Sequence, residues 1–205
     1  MLELVQAGGW LMLPILTCSI IAVAIVIERM WTLRHKKVIP EKLLTGIWKL
    51  MNKDALTDEH ITEIENGSML GKILAAGLIS RHLPRSLIRE SIEETGRHVV
   101  HEMERFMNTL GTISTITPLL GLLGTVIGMI KVFTAITTIG VGDPAQLAGG
   151  ISEALITTAA GLTIAIPSLI FHRHLKRKID ELVVGMEQEA MKLVDFLLGD
   201  RKKLS

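Results

Sequence analysis

Three long stretches almost free of charge constrain this chain of 205 residues more than any other feature. The first covers residues 10–27 with no charged side chain. The second covers 111–130, meets Lys131, and continues apolar over 132–141. The third covers 145–171 and holds one charged residue, Glu153. At about 1.5 Å of rise per residue, a helix over 10–31 spans about 31 Å, close to the hydrocarbon thickness of a bilayer. Trp10 and Trp31 bracket that segment as interfacial anchors do. The mean hydropathy of +0.43 is too high for an ordinary soluble domain. The chain therefore reads as an all-α integral membrane protein with three transmembrane helices, the second and third extended into a cytoplasmic helical bundle.

The first run is not read as a signal peptide. No Lys or Arg precedes it, no small-residue cleavage site follows, and it ends in Glu28 and Arg29. Lys and Arg cluster after the first run (Arg29, Arg34, Lys36, Lys37) and after the third (Arg173, Lys176, Arg177, Lys178), but are missing from the N-terminus and from 140–147. The positive-inside rule then gives a periplasmic N-terminus over 1–9, a first transmembrane helix over 10–31 and a cytoplasmic helical domain over 32–107. A second transmembrane helix over 108–139, a periplasmic turn over 140–146, a third helix over 147–171 and a cytoplasmic C-terminal helix over 172–205 follow. Lys131 is expected to snorkel toward the nearer interface.

In the 32–107 connection, Asn66-Gly67 reads as a turn. From Pro84 onward Ile88, Ile92, Thr95, Val99, Met103, Phe106 and Leu110 recur at helical spacing, so the second membrane helix is expected to begin far down in the cytoplasm. Leu175, Ile179, Leu182, Met186, Ala190, Leu193 and Leu197 make a similar stripe after the third run. Such stripes need partners, so a helical bundle in the cytoplasm with subunit contacts there is expected; packing within one subunit is the alternative.

Glu153 carries the chemical interest. A carboxylate in a bilayer helix is costly unless solvated, paired or protonated. Loss of hydration favours the neutral acid, which makes a buried carboxyl a candidate to take up and release protons. The alternative is a Glu that snorkels to the outer headgroups. It lies about eight residues into its run, roughly 12 Å by helical rise, a long reach for so short a side chain. Thr157 is one turn away on the same face, whereas Thr158 is turned well around the helix. On the second helix Thr117, Gly121, Thr125 and Gly128 form one stripe of small residues. That stripe, Gly124 with Gly128 in a G-x-x-x-G, and Gly161 on the third helix fit either close helix packing or a narrow pore.

Other chemistries find little support. Gly121-Leu-Leu-Gly124-Thr125 lacks the Lys of a phosphate loop and lies in a membrane run. His172 and His174 are two apart and point different ways on a helix, so no metal site is expected. No nucleophile–base arrangement suggests an enzyme, no cofactor is implied, and a net charge of +1 gives no reason to expect nucleic acid. Cys18 reads as a buried apolar thiol.

The segments Pro118-Leu-Leu-Gly-Leu-Leu-Gly-Thr-Val-Ile-Gly-Met-Ile-Lys-Val-Phe133 and Gly150-Ile-Ser-Glu-Ala-Leu-Ile-Thr-Thr-Ala-Ala-Gly-Leu-Thr-Ile-Ala-Ile-Pro167 closely resemble the second- and third-helix signatures of the ExbB/TolQ/MotA family. The end of the first helix, Ile27-Glu-Arg29, also looks like ExbB and TolQ; residues 38–85 match only in general character. Three helices rather than four point to the ExbB/TolQ branch over a flagellar-type stator. The resemblance implies a proton-channel subunit in the bacterial inner membrane, a homo-oligomer (a pentamer) around ExbD/TolR-like single-span subunits, working on a TonB- or TolA-like transducer. It makes Glu153 the intramembrane acid, and Thr125 and Thr158 the pore threonines; Thr157 is the candidate of the helical wheel. A rival of another class is a non-conducting membrane scaffold.

Overall fold

Apolar runs impose the helices here, and the residues between them decide where each helix stops. A computed structural model of the protein describes residues 8–53, 55–140 and 144–199. Its helices are α1 Met12–Thr32, α2 His35–Val38, α3 Leu43–Asn52, α4 Asp58–Gly67, α5 Met69–Ile79, α6 Arg85–Met103, α7 Met107–Ile139 and α8 Pro144–Leu197. The fold is all-α, and three helical stretches, those carrying α1, α7 and α8, are long and apolar enough to cross a membrane. The expected N-terminal segment before Gly8 and the centre of the expected turn, 141–143, lie outside the described residues.

The described chain divides into two units. One comprises the residues up to Glu28 together with Phe106–His174; the other comprises Arg29–Arg105 and the residues from Leu175 onward. In the first unit, hydroxyls in the apolar helices donate back to their own backbone: Thr112 to the Asn108 carbonyl, Thr115 to Gly111, Thr163 to Ala159 and Ser168 to Ile164. That local bonding removes the cost of a polar side chain where no water is available. Leu119, Leu122, Val126, Ile130 and Phe133 form an exposed apolar stripe along α7, the face a membrane helix shows to lipid or to another chain.

In the second unit, α5 packs on both α4 and α6. Its sequence is apolar nearly all round because it is the central helix: Leu70, Ile73, Leu74, Ala75 and Leu78 are all buried. Ile88, Ile92, Val99 and Met103 of α6 are buried as well, and so are Leu175, Ile179, Leu182, Met186, Ala190 and Leu193 of α8. Leu193 meets α5 at Gly77, where a Cβ would stand 3.2 Å from its methyl. The apolar stripes thus find partners within the chain, and the stripe of α8 by itself calls for no neighbouring subunit.

Two expectations are corrected, and one charged residue has a structural task. Asn66-Gly67 is not a turn: α4 continues through Gly67, with the Asn66 amide donating to the Thr62 carbonyl, and the break falls at Ser68, whose hydroxyl caps α5 by accepting from the Gly71 N–H. The helix from Pro84 does not run unbroken into the second membrane helix. It stops at Met103, and Phe106 takes a left-handed backbone (φ 64°) before α7 begins. That leaves Phe106 off the stripe and 42% exposed. Arg29, counted above among the inside charges, is only 4% exposed. Its guanidinium donates to the Glu102 and Met103 carbonyls at 3.3 and 3.2 Å, satisfying the end of α6, where helix carbonyls lack partners. Arg34 and Lys37 instead lie over the exposed ring of Trp31, 5.0 and 5.2 Å from its centroid.

Candidate functional site

The site is built where α7 and α8 run side by side with almost no side chain between them. Gly121 faces the backbone of Thr158, and a Cβ there would lie 3.0 Å from the Thr158 Cα. A Cβ on Gly124 would strike the Thr157 hydroxyl. One on Gly128 would lie 2.7 Å from the Ala154 Cβ and 2.8 Å from the Gly150 carbonyl, and one on Gly161 would run into the Thr117 carbonyl. All four glycines singled out in the sequence therefore line one seam, where a hydrogen in place of a methyl lets two backbones approach.

Glu153 lies at the edge of this seam, on α8, with 20% of its side chain exposed. Its carboxylate is not free. Lys131 Nζ of α7 donates to Oε1 at 2.6 Å and to Oε2 at 2.8 Å. Lys131 does not snorkel away, as the sequence led us to expect; it turns to Glu153. The segment before α1 closes over the carboxylate: Gly9, at φ 68°, approaches so closely that a Cβ would collide with Glu153 Oε1. Only glycine combines that left-handed backbone with that contact at no steric cost. Gly8 beside it faces Met12 and Ile156. Measured against α1, the acid is level with the residue just before Trp10, nearer the start of the first membrane helix than a count along the third run alone implies.

The threonines do not converge on the carboxylate. Thr157 is 1% exposed, and its hydroxyl donates back to the Glu153 and Ala154 carbonyls, both at 3.0 Å. It is on the Glu153 face, as the wheel requires, but its hydroxyl is bonded to the backbone. Thr158 points instead across the seam, donating to the Gly121 carbonyl at 2.8 Å. Thr125 donates to Leu122 of its own helix at 2.6 Å. The structure brings Glu153 together with Lys131 and Gly9, and neither partner was singled out from sequence. A signal for Lys131 did exist: it and Glu153 are each eleven residues from position 142, so an antiparallel pair folded there sets them opposite one another. His172 packs half-buried against Gly111, while Arg173 and His174 are exposed. Among the described residues no group of three His, Cys, Asp or Glu could hold a metal ion.

Chemically, the arrangement is a carboxylate held by an ammonium at the rim of a tight, apolar helix pair. The chain is similar to known proteins in this same region. It is 35% identical over 81% of its length to a biopolymer transport protein named ExbB-like 1 from Synechocystis, covering 66% of that protein. A second Synechocystis protein, named ExbB-like 3, is 30% identical over 81% of this chain and 80% of its own length. A homologue of the biopolymer transport protein ExbB from Methanothermobacter thermautotrophicus is 30% identical over 91% of the chain and 66% of its own length. The matched stretch thus falls just short of two thirds of the first and third of these relatives. Residues 65–188, more than half the chain and including the α7–α8 pair with Glu153, match the MotA/TolQ/ExbB proton channel family, and the chain belongs to that family.

Proposed function

We propose that this protein is the proton-channel subunit of an ExbB-type motor complex in a bacterial inner membrane, with its N-terminus periplasmic and its C-terminus cytoplasmic. In this reading it forms a homo-oligomeric ring, a pentamer by family resemblance, around single-span ExbD/TolR-like subunits, and passes work to a TonB- or TolA-like transducer. The observation that carries the reading is Glu153: a mostly covered carboxylate in the third membrane helix, the one charged residue of its apolar run. Protons moving down the gradient through such a group release about 2.3 kcal/mol each per 100 mV, enough for a few of them to move a partner subunit. Thr125 and Thr158 are the hydroxyls we place along the path, with Thr157 supporting the helix beside it.

The ion pair favours a second reading, in which Glu153 and Lys131 merely tie two helices of a non-conducting scaffold. Replacing Glu153 by Gln separates them. The amide keeps the size and some hydrogen bonding but has no proton to exchange. Glu153→Gln should abolish energised function in cells while the complex is recovered in normal amount. Full activity with normal assembly would remove the proton-carrying role and leave the scaffold.

A further inference from the structure

A lysine in an apolar helix can lower its cost in two ways, by reaching an interface or by meeting an anion. Lys131 does the second. Its ammonium straddles the Glu153 carboxylate, bonded to both oxygens at 2.6 and 2.8 Å. The register that makes this contact is fixed on both sides of it. Gly128 abuts Ala154 and the Gly150 carbonyl, and Gly150 in turn abuts Val132. The pair therefore follows from how α7 and α8 interlock.

We propose that Lys131 is a built-in counter-ion of Glu153, a positioning residue that occupies both carboxylate oxygens while the acid is charged and has to let go of them before another group can react there. The proposal rests on the reading of Glu153 as the proton-binding group and adds its regulation. Among the described residues, the groups facing Glu153 are few. From α7 comes the Lys131 ammonium. From the segment before α1 comes the backbone of Gly9. On α8 itself the Thr157 hydroxyl is taken up by the Glu153 and Ala154 carbonyls. Among the described residues, Lys131 is the one charged side chain in contact with the acid. With Glu153 ionised, the pair is neutral overall. A proton arriving at Glu153 leaves an uncompensated ammonium within the apolar run of α7, which is unfavourable in lipid. Proton uptake and release of the Lys131 side chain are then one event: the lysine is held while the acid is charged and set free when it is neutral.

The test reads protonation directly. Dicyclohexylcarbodiimide adds to a protonated carboxyl in apolar surroundings. The carboxyl proton passes to a carbodiimide nitrogen, the carboxylate oxygen bonds to the central carbon, and rearrangement leaves a stable N-acylurea that peptide mass spectrometry detects. The full-length protein, in the membranes of cells that make it with its partners, is labelled at neutral pH. Lys131→Met keeps most of the side chain's length and apolar stem, and should raise the rate of Glu153 modification about tenfold. Lys131→Arg keeps the charge and should label as slowly as the unaltered protein. If Lys131→Met does not accumulate in membranes, Lys131→Gln takes its place with the same expectation. Equal rates with and without the lysine charge overturn the proposal. The readout involves no proton flux, so the two readings fail separately. Faster labelling in Lys131→Met together with a fully active Glu153→Gln keeps the counter-ion and removes the channel role. Unchanged labelling together with an inactive Glu153→Gln does the reverse.

Discussion

At the scale of single residues, one added methyl group distinguishes contacts that matter from contacts that merely exist. A Cβ on Gly124 has nowhere to go but the Thr157 hydroxyl, itself fixed by bonds to the Glu153 and Ala154 carbonyls. Gly124→Ala should therefore destabilise the protein by about 1–3 kcal/mol, as overpacking does, lowering the temperature at which the detergent-solubilised protein loses its helical circular dichroism. Thr157→Ala removes the colliding oxygen, so the double variant should regain most of the loss. Two contacting residues are expected to show such non-additivity, and strictly additive melting shifts would place the strain elsewhere. Glu153 itself was legible in the sequence because an acid in a long apolar run is conspicuous on its own. Its partner was less so, because a lysine in an apolar helix can reach either water or an opposite helix, and the pattern within its own run does not decide between them. Nor could the choice between Thr157 and Thr158 be read from a helical wheel. The wheel locates Thr157 correctly, but it says nothing about the Gly121 carbonyl that Thr158 finds on the neighbouring helix.

Whole elements were legible to the extent that hydropathy marks them. All three long apolar runs became helices, and the buried stripes of α6 and α8 fell on the residues that helical spacing selected. The misses are at helix ends. Nothing in Glu104-Arg-Phe106-Met announces a break, since none of these residues is a Gly, Pro or Asn. A phenylalanine in the left-handed region is an uncommon price for ending α6 where the buried Arg29 guanidinium can reach its last carbonyls. The strain can be isolated by comparing two variants that both lose the ring. Asparagine tolerates this backbone region and a β-branched residue does not, so Phe106→Asn should exceed Phe106→Val in stability by about 1–2 kcal/mol, read as a difference in thermal midpoint. Equal midpoints would mean that the break relaxes without cost. At Ser68 the failure is of the opposite kind: Asn66-Gly67 has turn composition, yet the capping hydroxyl one residue later sets the boundary.

At the scale of the whole molecule, the orientation proposed from the Lys and Arg distribution has its own test. In a Cys18→Ala background, a cysteine at Gly142, which lies outside the described residues, should react with an impermeant thiol reagent added from the periplasmic side. A cysteine at Lys53, exposed after α3, should react only once the membrane is opened; the opposite pattern would reverse the topology. The division into units was partly legible, because alternating blocks of apolar and charged sequence foretell a membrane part and a water-facing part. What could not be read was that the apolar stripe of α8 is covered by the chain's own helices, since periodicity shows that a face is buried but not by what. The glycine seam between α7 and α8 has a further consequence, one of insulation. Where backbone stands 3.0 Å from the place a methyl would occupy, no water molecule fits, and without a file of water or titratable groups a proton has no relay. The interior of the helix pair is thus a dielectric wall. Any current is left to the faces of the pair, where Glu153, Thr125 and Thr158 are all part-exposed, and the seam itself gives a single copy of the chain no route for charge through its own middle.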